Sequence, residues 1–166
     1  MDSSALWGLF GTVVGASASI AAAWLAARSS HNLEIVKSQG ERIEQARAFQ
    51  RQTLLELQEA VHDVLRLICH IHHEDLLAHR AGQEWGKIML PDEMSEGARL
   101  AFRRVSIVVE RVADDHLREI VKHLMGGATQ ALLAKSELEA SSQLDMTMQQ
   151  SELIFQEIGT VLRRYY

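Results

Sequence analysis

The sequence holds a single cysteine, Cys69, and a single proline, Pro91. One cysteine permits no internal disulfide, which excludes a small fold stapled by bridges. The free thiol is compatible with a reducing compartment. One proline leaves long stretches with no backbone obstacle to helix. Aromatic residues make up only 5 % of the chain, and the β-branched residues fall at helical spacing rather than in alternating runs, so nothing is patterned as a strand. Basic residues are interspersed with a slight excess of acids, giving a net charge of −5. No basic stripe is present, so nucleic acid is not an expected partner.

Catalytic signatures are missing as well. There is no phosphate-binding glycine loop, no His-Glu-x-x-His and no Gly-x-Ser-x-Gly. Gly126-Gly127 is not followed by Gly-Lys-Ser/Thr. Cys69 adjoins His70, but neighbours on a helix diverge by about 100° and do not form a nucleophile–base pair. The expectation is a protein without enzymatic activity or cofactor.

What is present is helix-forming. Ala, Leu, Glu, Gln and Arg are abundant, and each has high helix propensity. The fold class expected is all-α, with an N-terminal transmembrane helix, a long stalk helix and an antiparallel four-helix bundle. The expected divisions are a leader at 1–4, a span at 5–27, a stalk at 28–52 and a bundle at 53–166.

The span rests on residues 5–27, a stretch of 23 residues without a charge. As a helix it reaches roughly 34 Å, enough for a hydrocarbon core of about 30 Å. Trp7 and Trp24 lie near its two ends, where interfacial indoles belong, and Arg28 follows directly. A cleaved signal peptide would want a basic leader, yet Asp2 stands there. A buried core helix suits the alanines, but glycine-rich helices fare poorly in water. Arg28, Lys37, Arg42 and Arg47 flank the C-terminal side only. The expected location is therefore the inner (plasma) membrane, N-terminus outside and C-terminal domain cytoplasmic.

Within that span Gly11, Gly15, Ser19, Ala23 and Ala27 recur every four residues. Small residues at this spacing let two helix backbones approach closely in lipid. Gly11, Gly15, Ser19 and Ala23 are the expected self-association face of a homo-oligomer. Thr12, Ser17 and Ser19 add hydroxyls, which leaves an oligomeric pore as an alternative, though no charge would give it selectivity.

From Arg28 to Gln52 the apolar residues are sparse, as expected of a stalk packing on copies of itself. From Leu54 the pattern sharpens. Leu54, Leu57, Val61, Val64, Ile68 and Ile71 follow a 3-4-3-4-3 spacing, and Leu65, Leu76 and Leu77 widen the stripe. Gly82, Gly86 and Pro91 mark a loop at 81–93, whose Trp85, Ile88, Met89 and Leu90 are expected to pack down. A helix over about 95–113 would bury Leu100, Val105, Val108, Val109 and Val112. Asp114-Asp115 offers an N-cap to the next helix, which Gly126-Gly127 is expected to bend. Ser136-x-x-Glu139 has the spacing of a capping box. The last helix, to about Arg164, would turn Leu144, Met148, Phe155, Ile158 and Leu162 inward.

Histidines crowd Cys69-His70-Ile71-His72-His73-Glu74-Asp75, with His62 and His79 nearby. His70 shares a helix face with His73 and with Glu74, which makes these three the candidate metal ligands. Glu59-x-x-His62 matches one half of a di-iron motif, but no second Glu-x-x-His exists. A metal-binding helical-bundle enzyme is thus a second alternative.

The layout resembles a loose set of small, uncharacterised bacterial single-span membrane proteins. The span carries the resemblance, with the segment Arg51 to Ala60, His73-Glu74-Asp75, Glu84-Trp85-Gly86-Lys87 and Leu90-Pro91-Asp92. Proteins of this shape look like membrane components of bacterial defence or signalling systems. The resemblance implies a membrane-anchored, self-associating effector. Its partners would be the lipid bilayer, copies of itself and a protein met through the helical domain.

Overall fold

The computed structural model describes residues 3–87 and 89–166. Within residues 3–35 it describes the side chains of Gly15, Ser19, Ala22, Ala23, Trp24, Leu25, Arg28 and Glu34. Among the described residues there are four helices and no strand. They are α1 (Ser3–Arg80), α2 (Asp92–Val109), α3 (Asp115–Leu133) and α4 (Glu137–Arg163). The chain divides into two compact units, Met1–Ala46 and Arg47–Tyr166. Among the described residues no helix is long and apolar enough to cross a membrane. Most side chains of residues 5–27, including Gly11 and Trp7, lie outside the described set.

The second unit is an all-α bundle built on the C-terminal part of α1. Leu54, Leu57, Val61, Val64, Ile68 and Ile71 are all buried, as their spacing predicts. Val105, Val108, Val109 and Val112 meet them from α2 and the turn after it. Leu117, Val121, Leu124 and Ala128 come from α3, and Ile154, Ile158 and Val161 from α4. Burial of each large aliphatic side chain contributes about 1.5–3 kcal/mol.

Pairs between helices fix their directions. Arg51 reaches the Tyr165 carbonyl, Cys69 meets Met148 and His79 faces Glu137, so α1 and α4 run antiparallel. Gln50 meets Arg111 while Asp63 meets Arg104, so α1 and α2 do the same. Gly127 lies against Thr147, and His116 shares a groove with Thr160, which sets α3 against α4. The result is an up-down bundle with short links, as the sequence predicts.

The helix starts follow from local chemistry. Asp92 and Glu93 place negative charge in the first turn of α2, where the helix dipole favours it. Asp114 Oδ1 accepts from the Leu117 amide at 2.9 Å and caps α3. Ser136 Oγ accepts from the Glu139 amide at 3.3 Å, half of the expected box. The Glu139 carboxylate accepts from the Lys135 amide at 3.0 Å, one residue further back than a standard box requires. Gln50 does more than a stalk residue would. Its side chain donates to the Arg111 carbonyl and accepts from the Ala113 amide, each at 3.0 Å, and so holds the α2–α3 turn.

Several expectations change. The loop ends at Pro91, because α2 already starts at Asp92, and α2 ends at Val109. Leu100, Met148 and Leu77 are exposed rather than buried. Each sits at the edge of its apolar stripe, where periodicity alone does not decide. Trp85 packs down, Met89 is exposed, and Ile88 lies outside the described residues. α3 runs helically through Gly126-Gly127.

Gly126 and Gly127 have different reasons to be small. A Cβ on Gly126 meets nothing within 4 Å, whereas one on Gly127 would lie 3.1 Å from Thr147 Oγ1. Gly126→Ala is expected to stabilise the bundle by about 0.5–1 kcal/mol through helix propensity. Gly127→Ala should gain less, and Gly127→Val should cost about 1–3 kcal/mol by forcing α3 off α4. Chemical denaturation followed by circular dichroism measures all three. Equal gains for the two alanine variants would show that the Gly127–Thr147 approach sets no limit.

Candidate functional site

The histidines lie on the last turns of α1 and diverge. His70 Nε2 stands 3.7 Å from Glu74 on the exposed surface. His73 is exposed. His72 points the other way, with Nε2 3.4 Å from Ser141 Oγ. His62 packs on Phe155 with ring centroids 6.3 Å apart, and Glu59 pairs with Arg104. Among the described residues no group of three or more His, Cys, Asp or Glu side chains is placed to hold a metal ion. His70, His73 and Glu74 therefore do not converge with a further ligand.

Instead, His72 and His79 hold the loop. Trp85 lies between their rings, with centroid distances of 5.6 and 5.8 Å. His79 Nδ1 is 3.0 Å from the Gln83 carbonyl, and its Nε2 is 3.8 Å from Glu137. Gly82 and Gly86, with φ of +93° and +71°, supply the turns that return Trp85 to the bundle. The gap beneath it is about 10 Å³, room for no more than one water. This corner is a structural clasp.

Burial has an electrostatic consequence here. The Asp75 carboxyl lines that gap beside Trp85, Leu132 and Leu144, and burial raises its pKa. The nearby His72 opposes the shift. Cys69 is half-buried against Met148, and burial pushes its thiol up as well.

The small-residue stripe behaves differently. Gly15, Ser19 and Ala23 are exposed on α1, and a Cβ on Gly15 would meet nothing within 4 Å. Ser19 Oγ donates to the Gly15 carbonyl at 2.8 Å. The Arg28 guanidinium sits 5.3 Å from the Trp24 ring centroid, and Trp24 and Leu25 are exposed. Gly11 and Trp7 lie outside the described residues.

A recess between α3 and α4 was not legible in the sequence. It is an open groove of about 750 Å³ between α3 and α4, floored by Ile120 and Ile154. His116, Glu119 and His123 line one side, and Gln150, Leu153 and Glu157 the other. A smaller recess of about 390 Å³ extends it past Gly126 and Gly127. Leu153 is 66 % exposed at its edge. An apolar floor with polar rims suits an amphipathic helix. Another open depression, about 840 Å³, lies over Leu55, His62 and Phe155.

The Asp75 shift sets a sign. An acid whose folded pKa is raised is penalised while charged, so its cost is full above the folded value. It fades as pH falls toward the unfolded value of about 3.9. Asp75→Asn should therefore raise the Tm at pH 7, with the gain vanishing by about pH 4. Thermal scans across that range check it. A gain that does not change with pH would mean that charge is not the cause.

No family model matches the chain, and no curated protein or solved structure is similar to it.

Proposed function

We propose that this chain is a single-span, self-associating membrane protein whose helical bundle is an interaction platform. Residues 5–27 would lie in the inner membrane with the bundle in the cytoplasm. The observation that carries the reading is the uncovered stripe of Gly15, Ser19 and Ala23 in a segment without charge. In lipid such a stripe is a packing surface for a second helix.

Two details support packing over pore formation. The Ser19 hydroxyl donates to the Gly15 carbonyl, so it rests against lipid or a neighbouring helix without an unsatisfied donor. Arg28 stacked on Trp24 is the pairing expected of a cation and an indole at the headgroup level. The role is that of an anchor, sensor or membrane-perturbing effector in signalling or antiviral defence. Changes in partner binding at the bundle would alter the packing of the spans.

Alkaline carbonate extraction tests the anchor, with the chain expected in the membrane pellet. Release into the supernatant would remove the reading. Gly11→Leu combined with Gly15→Leu should lower crosslinked oligomers in membranes roughly tenfold, equivalent to about 1.4 kcal/mol. Unchanged oligomers would eliminate the stripe as the packing face.

A further inference from the structure

The Trp85 clasp holds one imidazole between two acceptors. His79 Nδ1 lies 3.0 Å from the Gln83 carbonyl oxygen, and Nε2 lies 3.8 Å from the Glu137 carboxylate. A neutral imidazole has one N–H. Whichever nitrogen keeps it, the other turns a lone pair on an acceptor. Only the imidazolium has a donor for both. Two further features favour the charged ring. His79 stands in the last turn of α1, where the helix dipole favours a cation. The Trp85 indole packs on it at 5.8 Å between centroids, within reach of a cation–π contact. The His79 and Glu137 side chains are 42 % and 46 % exposed, so water can exchange the proton without unfolding.

Three elements meet at this corner, and their other charges do not replace that pairing. α1 brings His72, Asp75 and Arg80. His72 packs on the same indole, and Asp75 lines the gap beneath it. The loop brings Glu84 and Lys87, which pair with each other at 2.6 Å. Lys135 and Glu139 flank Glu137, and the Glu139 carboxylate accepts from the Lys135 amide. Among the described residues Glu137 is the ion-pair partner of His79.

We propose that the loop carrying Trp85 is a proton-dependent latch, which protonated His79 holds closed on the bundle and deprotonated His79 releases. The closed loop seats a proton that the open loop does not need. Closure is therefore favoured at low pH and lost as pH rises through the histidine range, about 6.5. Opening bares Ile71, Leu132 and Leu144, which line the gap beneath Trp85. A rise in pH thus uncovers an apolar patch. The inference stands apart from the anchor reading, since every group in it belongs to the second unit.

Thiol protection in the full chain tests this, in a Cys69→Ser background. Ala131→Cys places a thiol in the gap beneath Trp85, and Ala128→Cys places one in the core. Labelling by an aromatic disulfide reagent is compared at each pH with the same chain in denaturant, which removes the thiol's own ionisation. Protection at position 131 should fall about fivefold from pH 5.5 to pH 8, with that at position 128 unchanged. His79→Gln keeps one donor and should flatten the profile. Glu137→Gln should reduce the fall to about twofold. His72→Gln and Asp75→Asn should each leave it in place. A flat profile in the parent would overturn the latch. So would a fall that survives His79→Gln and Glu137→Gln undiminished, or one that His72→Gln removes. Equal falls at positions 131 and 128 would overturn it too, because the whole bundle would then be opening. Circular dichroism checks that each variant is helical. Should His79→Gln lose its helices, the smaller fall in Glu137→Gln decides.

Discussion

The bundle depends on one buried stripe. Leu54, Leu57, Val61, Val64, Ile68 and Ile71 form a single apolar seam on α1, and valines, leucines and isoleucines of the other three helices close on it. The seam needs no polar help in its middle. Among the described residues the buried polar side chains are Thr53, Thr147 and Ser151, and no buried side-chain nitrogen or oxygen lacks a partner. Specificity comes from the ends. At one end Gln50 and Arg164 tie α1 and the end of α4 to the α2–α3 turn, and Arg51 ties α1 to the end of α4. At the other, His72 and His79 clasp Trp85. A seam of interchangeable aliphatics fixes compactness, and polar contacts at its ends fix which helix sits where.

Most of the fold could be read in advance because helices announce themselves through periodicity and caps. The six α1 positions were legible from spacing alone, and Asp114 and Ser136 from the residue types that satisfy free amides. Misreadings cluster where one residue has two apolar neighbours to choose between. Leu100 and Met148 fall at stripe edges, and their exposure depends on how the adjacent helix is rotated, which no local pattern encodes. Gln50 shows the other limit. A glutamine in a polar run looks solvated until the chain brings Arg111 and Ala113 beside it, 61 and 63 residues on.

The candidate sites divide along the same line. The histidine run is prominent in sequence and dispersed in space, because successive residues on a helix point about 100° apart. The α3–α4 groove is silent in sequence, being assembled from two helices and from missing bulk at Gly126 and Gly127. Those glycines look like a break point. One of them instead lets α3 approach Thr147, and the other leaves the recess open. Glycine within a helix is a statement about what comes close, and the helix alone does not reveal what that is.

The proposed packing face and the bundle seam draw on different physics. Between helices in lipid there is no hydrophobic drive, so Gly15, Ser19 and Ala23 would act through close backbone packing and would specify a neighbour at short range. In water the α1 seam gains from removing Leu54, Leu57 and Ile68 from solvent, a drive that is strong but indifferent to which aliphatic lies opposite. Substitutions therefore have different meanings in the two places: on the small-residue face added bulk would remove the approach on which packing depends, whereas in the seam a swap that conserves volume costs little.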